Sequence, residues 1–472
     1  MSQVKKPKFW RSLAERENTE EFRAVKEREF FAKADEGPTV PGRRRFLQLM
    51  GASLALSGCW QEDRLLPRTN RPEGLVPGKP VYFATTMELG GVGVGLVARS
   101  YDGRPIKLEG NPEHTGSAGG STSMQQAAVL EMYDPDRSKG VARYSAGKRE
   151  SATWGEFEEA FLKKGADAGL AILGDGSSSP TLADLKRRLT AKGAQWFDYA
   201  PINRDNEREG AKAAFGEVVR TQLKLDQTDV ILTLDADLFG SHPNGLAHSK
   251  AFASRRTPEA GSMTRLYSIE SSFSATGGAA DHRLPLRSQL LKAVAAYLDS
   301  AISPQVSAAG AAQAAPAAKF LSDEHAKKFL ETVVKDLVEH QGRSVVVAGS
   351  NQPAEVHALV HRLNSILGNV GKTVLYSAEP EPERESYVAQ LTKLVAAMNG
   401  GQVKSLLILG GNPVYDAPAD VAFAAALAKV GTTVHAAVYE DETSQACSWH
   451  VPLAHWLEAW GDSLGWDGTV SI

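Results

Sequence analysis

The residues of this chain whose types and spacing could do chemistry are mostly glycines and carboxylates in loops behind short apolar runs. Five such segments stand out: 174–179 (Gly-Asp-Gly-Ser-Ser-Ser), 235–243, 270–274, 349–352 and 410–413 (Gly-Gly-Asn-Pro). Small residues running into a helix N terminus leave backbone N–H groups free to hold phosphate oxygens. In open parallel sheets, ligands bind beyond the carboxyl ends of the strands. Gly174, Gly176 and Ser177, with Gly410, Asn412 and Pro413, stand in such loops, but are read as vestigial, short because helices must pack close to strands and not because they cradle a ligand. Asp235 and Asp237 put two carboxylates into the second segment, where a phosphate would be repelled.

Other groupings carry less. His357 and His361 stand at i, i+4, so one helix face could present both to a metal. No third ligand lies at usable spacing, and the pair reads as helix-surface histidines. Cys447, His450 and His455 are ligand types close in sequence, read as decorating a core segment. Glu379-Pro380-Glu381-Pro382-Glu383 reads as a solvated loop rather than a catalytic acid pair. There is no Ser–His–Asp, P-loop or c-type haem signature, so no catalytic residue and no metal ligand is named.

The composition is that of an ordinary globular protein, with 42% hydrophobic and 23% charged residues. At ~150 residues per domain, 472 residues suggest about three domains. A net charge of -3 gives no reason to expect nucleic acid. The chain has 2 cysteines, too few for the four thiolates of an iron–sulfur cluster.

One of them, Cys59, closes the segment 43–59, RRRFLQLMGASLALSGC. Arg43, Arg44, Phe46 and Leu47 before a short apolar run resemble a twin-arginine export signal. The run is too short to span a bilayer, which takes ~20 apolar residues. Leu56-Ser57-Gly58-Cys59 resembles a lipobox, with Cys59 the acylated residue. Gly42 and Gln48 depart from the usual pattern, and the motif lies behind a long charged arm. The expectation is export by the twin-arginine translocase and a lipid anchor at the periplasmic face of the inner membrane. Cys447 is then a lone thiol.

The elements that would position the loops are short strands alternating with amphipathic helices, the pattern of parallel sheets covered on both faces. Strands are expected at Val92–Arg99, Pro105–Leu108, Leu170–Leu173, Asp229–Leu234, Arg265–Ile269, Ser344–Ala348, Thr373–Tyr376, Ser405–Leu409 and Thr433–Val438. Helices are expected at Trp154–Lys164, Pro353–Leu367, Arg384–Met398 and Ala419–Lys429. The expected organisation is a charged arm (1–42), the signal (43–59), a Pro/Arg/Gly linker (60–80) and a β-rich subdomain (81–150). A first α/β unit (151–301), an Ala-rich linker and helix (302–342) and a second α/β unit (343–472) follow. The apolar finish 465–472 reads like a chain interrupted inside that last unit. The fold class is α/β, two doubly wound parallel-sheet units behind a small β-rich hairpin region.

In this order the segments resemble the molybdopterin oxidoreductase superfamily from about residue 80 onward. The resemblance is carried by Asp102-Gly103-Arg104 with Gly110-Asn111-Pro112-Glu113-His114, Trp154 to Ala160, and Thr276 to Pro285. Leu367 to Gly371, Gly410 to Pro413, Glu442-Thr443, Val451-Pro452, Trp456-Leu457-Glu458 and Gly461 carry the rest. The departures fall on cofactor positions. The stretch Thr85–Thr122 lacks the cysteines that hold a cluster in the family. Asp235-Ala236-Asp237 replaces a Gly-x-Asn loop, and Glu270-Ser271-Ser272 replaces Asp-Pro-Arg, losing a phosphate-binding arginine. No cysteine could ligate molybdenum, while Ser or Asp ligands stay open.

With Phe9-Trp10-Arg11-Ser12-Leu13 in the arm, the chain resembles the molybdopterin-enzyme-like subunits of the bacterial alternative complex III branch. That resemblance implies a scaffold in a respiratory quinol:electron-acceptor oxidoreductase, with membrane and haem-carrying partners. It implies no cofactor in these residues, and 4Fe-4S and 3Fe-4S clusters in a C-terminal half not contained in them. The rival reading is a molybdenum oxidoreductase of the polysulfide or nitrate reductase type, holding molybdopterin guanine dinucleotide in a divergent site.

Overall fold

The computed structural model describes residues 76–472 except 146, 163–168, 258, 260–262 and 308–321, together with 17, 19, 20, 22 and 23. The chain divides into Met1–Gly74 and Leu75–Ile472. In the first unit Glu17, Glu20, Phe22 and Arg23 are helical. Arg43, Arg44, Phe46, Leu47 and Cys59 lie outside the described residues. The account below concerns the second unit.

The strands β1 (Val81–Leu89), β2 (Val92–Tyr101) and β3 (Arg104–Gly110) form an antiparallel sheet in that order. Asp102 and Gly103 take φ of +50° and +83° at the β2–β3 turn, the positive angles that make Asp-Gly a hairpin signal. Leu96, Ala98 and Leu108 pack on Ala128 and Val129 of the helix Ser123–Met132. A capping box between Thr122 and Gln125 opens that helix.

The remaining strands are β4 (Ala142–Ser145), β5 (Lys148–Ser151), β6 (Leu170–Gly174), β7 (Gln195–Asp198), β8 (Val219–Leu223), β9 (Val230–Leu234), β10 (Arg265–Glu270) and β11 (His282–Pro285). After them come β12 (Ser344–Ala348), β13 (Val374–Ala378), β14 (Ser405–Leu409), β15 (Thr432–Ala437), β16 (Trp449–Pro452), β17 (Ser463–Leu464) and β18 (Val470–Ser471). One sheet runs β5-β4-β16-β15-β14-β6-β7, parallel from β16 to β7. A second runs β11-β10-β9-β12, parallel throughout. β8 and β13 pair as an antiparallel ribbon.

Strand pairing crosses the expected boundaries. The first sheet draws on residues 142–198 and again on 405–452, and the second on 230–285 and 344–348. The two α/β units are therefore nested rather than consecutive. The expected split at 301 and 343 falls inside the inner unit, where β12 returns to pair with β9. The helix Leu291–Val306 also carries regular structure into what reads as a linker, with Pro304 in its last turn.

Both sheets are covered on both faces, and their strands divide with period two. Val230, Leu232 and Leu234 enter one core with Leu291, Leu298, Leu330 and Leu337, while Ile231 enters another with Leu238, Leu266 and Val345. Ala171, Leu173, Leu406 and Ile408 pack with Leu391 and Leu394, while Leu407, Leu409, Val434 and Ala436 face Phe157, Phe161 and Trp449. Helix ends depart from expectation where local chemistry intervenes. The helix starts at Tyr387 instead of Arg384, because Ser386 caps it. Ala419–Lys429 breaks at Ala422, which has φ +51°. Trp154–Phe157 passes into π-helix over Glu158–Leu162.

Candidate functional site

Each sheet reverses direction once. In the first, β7 lies on one side of β6 and β14 on the other; in the second, β10 and β12 flank β9 in the same way. Such switch points open a crevice at the carboxyl ends of the two diverging strands.

At the first switch point the sequence-predicted loops meet: Gly174 and Asp175 after β6 face Gly410, Gly411 and Pro413 after β14, with Tyr199 and Asp416 closing the rim. About 10 Å³ of free volume remains, room for about one water. The crevice is acidic. Burial and then the Asp416 charge push the Asp175 carboxyl up to about 6, against a backbone hydrogen bond from Gly411. Burial also raises Asp416. The Asn412 carboxamide does not face a ligand: its Oδ1 accepts from the Thr443 hydroxyl at 2.7 Å and its Nδ2 donates to Glu442 at 2.7 Å.

Beneath the Gly410–Gly411 turn runs a network that sequence reasoning missed. His435 Nε2 faces Gly411 O at 3.0 Å, so it must donate there. Its Nδ1 is 2.8 Å from Ser444 Oγ, which lies 2.9 Å from His450 Nδ1, and His450 Nε2 is 2.6 Å from Ser138 Oγ. Asp441 Oδ1 also lies 3.3 Å from His435 Nδ1. His435, Ser444 and His450 are all fully buried. Spacings of nine and six residues across a strand and a short helix give no local signal of it.

Gly176 and Ser177 are spoken for as well. A Cβ on Gly176 would lie 2.0 Å from Tyr387 Oη. Ser177 Oγ donates to Glu88 Oε2 at 2.7 Å, and Ser178 N to Glu88 Oε1 at 2.5 Å.

At the second switch point Asp235 and Asp237 accept hydrogen bonds from the chain's own loops after β9, β10 and β12. Asp237 Oδ1 accepts from the Thr276 amide (3.1 Å), the Thr276 hydroxyl (2.9 Å) and Gly240 N (3.2 Å), and its Oδ2 from Ser241 N (3.1 Å). Asp235 takes Ser271 N at 2.8 Å and Gln352 Nε2 at 3.1 Å. Its backbone is left-handed, φ +55°, a conformation Asp tolerates better than most residues. The chain after β12 then runs so close that a Cβ on Gly349 would meet Asp235 O at 1.9 Å. Glu270 accepts from Ser274 Oγ at 2.5 Å and from Arg283 Nε at 2.5 Å. The arginine missing from sequence position 272 thus has a counterpart in Arg283, but it neutralises a carboxylate of the chain itself.

The remaining candidates sort out differently from expectation. His357 and His361 are buried, not surface, residues, packed on the helix Asp205–Phe215 with His361 Nδ1 3.0 Å from Tyr376 Oη. Burial lowers both imidazoles, His361 to about 4. Among the described residues no group of three or more His, Cys, Asp or Glu could hold a metal. Burial pushes the Cys447 thiol up to about 12, away from the thiolate a metal needs. Glu379, expected in a solvated loop, is an ion-pair centre 3.0 Å from Arg220 and 3.1 Å from Arg208.

No protein-family model matches the chain. Its sequence is 27% identical over 425 residues to the menaquinone reductase, molybdopterin-binding-like subunit of Nitratidesulfovibrio vulgaris (strain Hildenborough), a match covering 82% of this chain. The chain spans 60% of that relative's length. Among solved structures it superposes on acetylene hydratase from Pelobacter acetylenicus with a TM-score of 0.60 at 13% identity, over 82% of this chain and 66% of the other. The superposition shows that the chain shares the fold of that structure, and the sequence match shows that it is similar to a molybdopterin-binding-like subunit.

Proposed function

We propose that this chain is a non-catalytic, molybdopterin-enzyme-like subunit of a membrane respiratory complex that exchanges electrons with a quinone. One observation carries the reading. At the second switch point, the backbone N–H groups of Gly240 and Ser241 after β9 and of Ser271 and Thr276 after β10 are taken by the carboxylates of Asp235 and Asp237. A phosphate at a switch point needs such donors free and no fixed negative charge beside them. The residues present therefore do not fit a molybdopterin guanine dinucleotide, whose pyrophosphate would meet two carboxylates here. Two more carboxylates, Asp175 and Asp416, line the crevice at the first switch point. The name of the curated relative supports the quinone-related setting.

The finer reading is the alternative complex III type, supported by the arm Phe9–Leu13 and the signal-like segment 43–59. In it the chain leaves by the twin-arginine route and is held at the periplasmic membrane face through acylated Cys59, beside membrane and haem-carrying subunits. Among the described residues no helix is long and apolar enough to cross a membrane. Any four-thiolate cluster of the complex belongs to residues outside 1–472, since 2 cysteines cannot ligate one.

The test is affinity purification of the tagged full chain from membranes of its native host. The expected result is co-purification with an integral membrane subunit and haem, and loss of quinol oxidation when the chain is deleted. A chain recovered alone that turns over a substrate would overturn the reading.

A further inference from the structure

The segment Asp462–Ser471 threads between the β1–β3 sheet and both α/β units. At one end Asp462 meets the first turn of the helix Pro180–Ala191, accepting from Thr181 N at 3.2 Å, from Thr181 Oγ1 at 2.7 Å and from the Ser179 hydroxyl. Burial raises its carboxyl, but those hydrogen bonds outweigh it and hold the group below the usual carboxylate range. Beside it, Glu88 of β1 takes Ser177 Oγ, Ser178 N and Ser178 Oγ (2.9 Å). Leu464 N then donates to Ser178 Oγ at 3.1 Å.

Further along, Trp466 is among the largest fully buried side chains. Its indole lies 4.1 Å beneath the Arg204 guanidinium, 4.9 Å from Arg220 and 4.9 Å from the His242 ring. Its Nε1 donates to Thr221 O at 3.0 Å, and its carbonyl accepts from Gln222 Nε2 at 2.8 Å. Ser471 Oγ reaches His114 Nε2 at 3.1 Å. The segment thus bridges the loop after β6, the β8 strand and, through His242, the loop after β9.

We propose that Asp462–Ser471, with Glu88, is a built-in occupant of the cleft between the two α/β units. Two carboxylates stand at a helix N terminus, where this architecture places phosphate oxygens. A flat aromatic ring with two guanidinium groups over it, at 4.1 and 4.9 Å, takes the place of a ligand's stacking ring. The chain supplies from its own residues the anionic and aromatic groups that hold the units together, and has no vacancy for a nucleotide-like molecule. This deepens the proposed function and rests on it, and the two fail separately: co-purification tests the assignment to a respiratory complex, and ligand binding tests this proposal.

The experiment compares the full chain with Glu88→Gln/Asp462→Asn and with Trp466→Ala. Thermal midpoints are read with and without inorganic pyrophosphate or ADP, and amide exchange is read over 177–182 and 462–468. The parent should show no saturable shift with either probe and slow exchange in both segments. The double variant should melt lower, with faster exchange in both segments together, and should regain about 2–4 °C with pyrophosphate. Trp466→Ala should loosen 462–468 and the Arg220 strand. If the double variant does not fold, the single Asp462→Asn must still raise exchange at Thr181 and Leu464. A parent that binds either probe saturably, or variants whose exchange matches the parent, would overturn the proposal.

Discussion

Asp175 shows most directly how single residues shape this site. Its carboxyl is raised by burial first and by Asp416 second, to about 6, against ~3.9 in an unfolded chain. The folded state therefore holds the proton more tightly between those values. By linkage, stability falls as pH rises from about 4 to about 6 and stays lower above. Asp175 is exposed at the crevice mouth, so solvent screening reduces the effect. Asp175→Asn should flatten that limb of a denaturation series run across pH. An unchanged limb would show that Asp175 does not contribute to it. Asp237 is held by four hydrogen bonds, from Gly240 N, Ser241 N, Thr276 N and Thr276 Oγ1. Asp237→Ala should cost about 1–3 kcal/mol through unsatisfied N–H groups, read as a lower denaturant midpoint at constant slope.

At the scale of elements, the parallel strands were legible because they are apolar on both faces. DVILTL and SVVVA announce β9 and β12, and SLLIL announces β14. Leu232, fully buried in the larger core, should cost about 2–5 kcal/mol as Leu232→Ala; a smaller loss would mean that the β9 core is loosely packed. Polar or short strands gave no such signal. β8 (VRTQL) and β5 (KRES) are strands through their partners β13 and β4, and tertiary pairing overrides propensity there. Nesting of the two units was equally hidden, since residue patterns mark strands but not their order across a gap of more than two hundred residues. The glycine loops at 174–177 and 410–413 were each recognised as strand-end loops, but neither their meeting at one switch point nor their contents were. Glu88 reaches Ser178 across 90 residues, and Asp462 reaches Thr181 across 281. A lone Glu in β1 looks like any edge-strand charge.

Across the whole molecule, one pattern recurs. The helix after β6 and the loop after β9 are met by carboxylates of the same chain, and the β6–β14 crevice is acidic. In the reading proposed above, the donors at these strand ends serve internal packing. Attachment to a membrane belongs to the same account. Acylation of Cys59 would bury methylenes at ~0.8 kcal/mol each. Cys59→Ala should therefore release the exported chain from the membrane, and Arg43→Lys/Arg44→Lys should retain it in the cytoplasm. Fractionation that finds both variants where the parent is would contradict the signal reading. The central claim is that this fold holds no phosphate-bearing molybdenum cofactor. Its most direct test is the molybdenum content of the tagged full chain, isolated with its natural partners from a host that makes molybdopterin guanine dinucleotide. The account predicts molybdenum far below one atom per chain; one molybdenum per chain, released with the dinucleotide on denaturation, would contradict it.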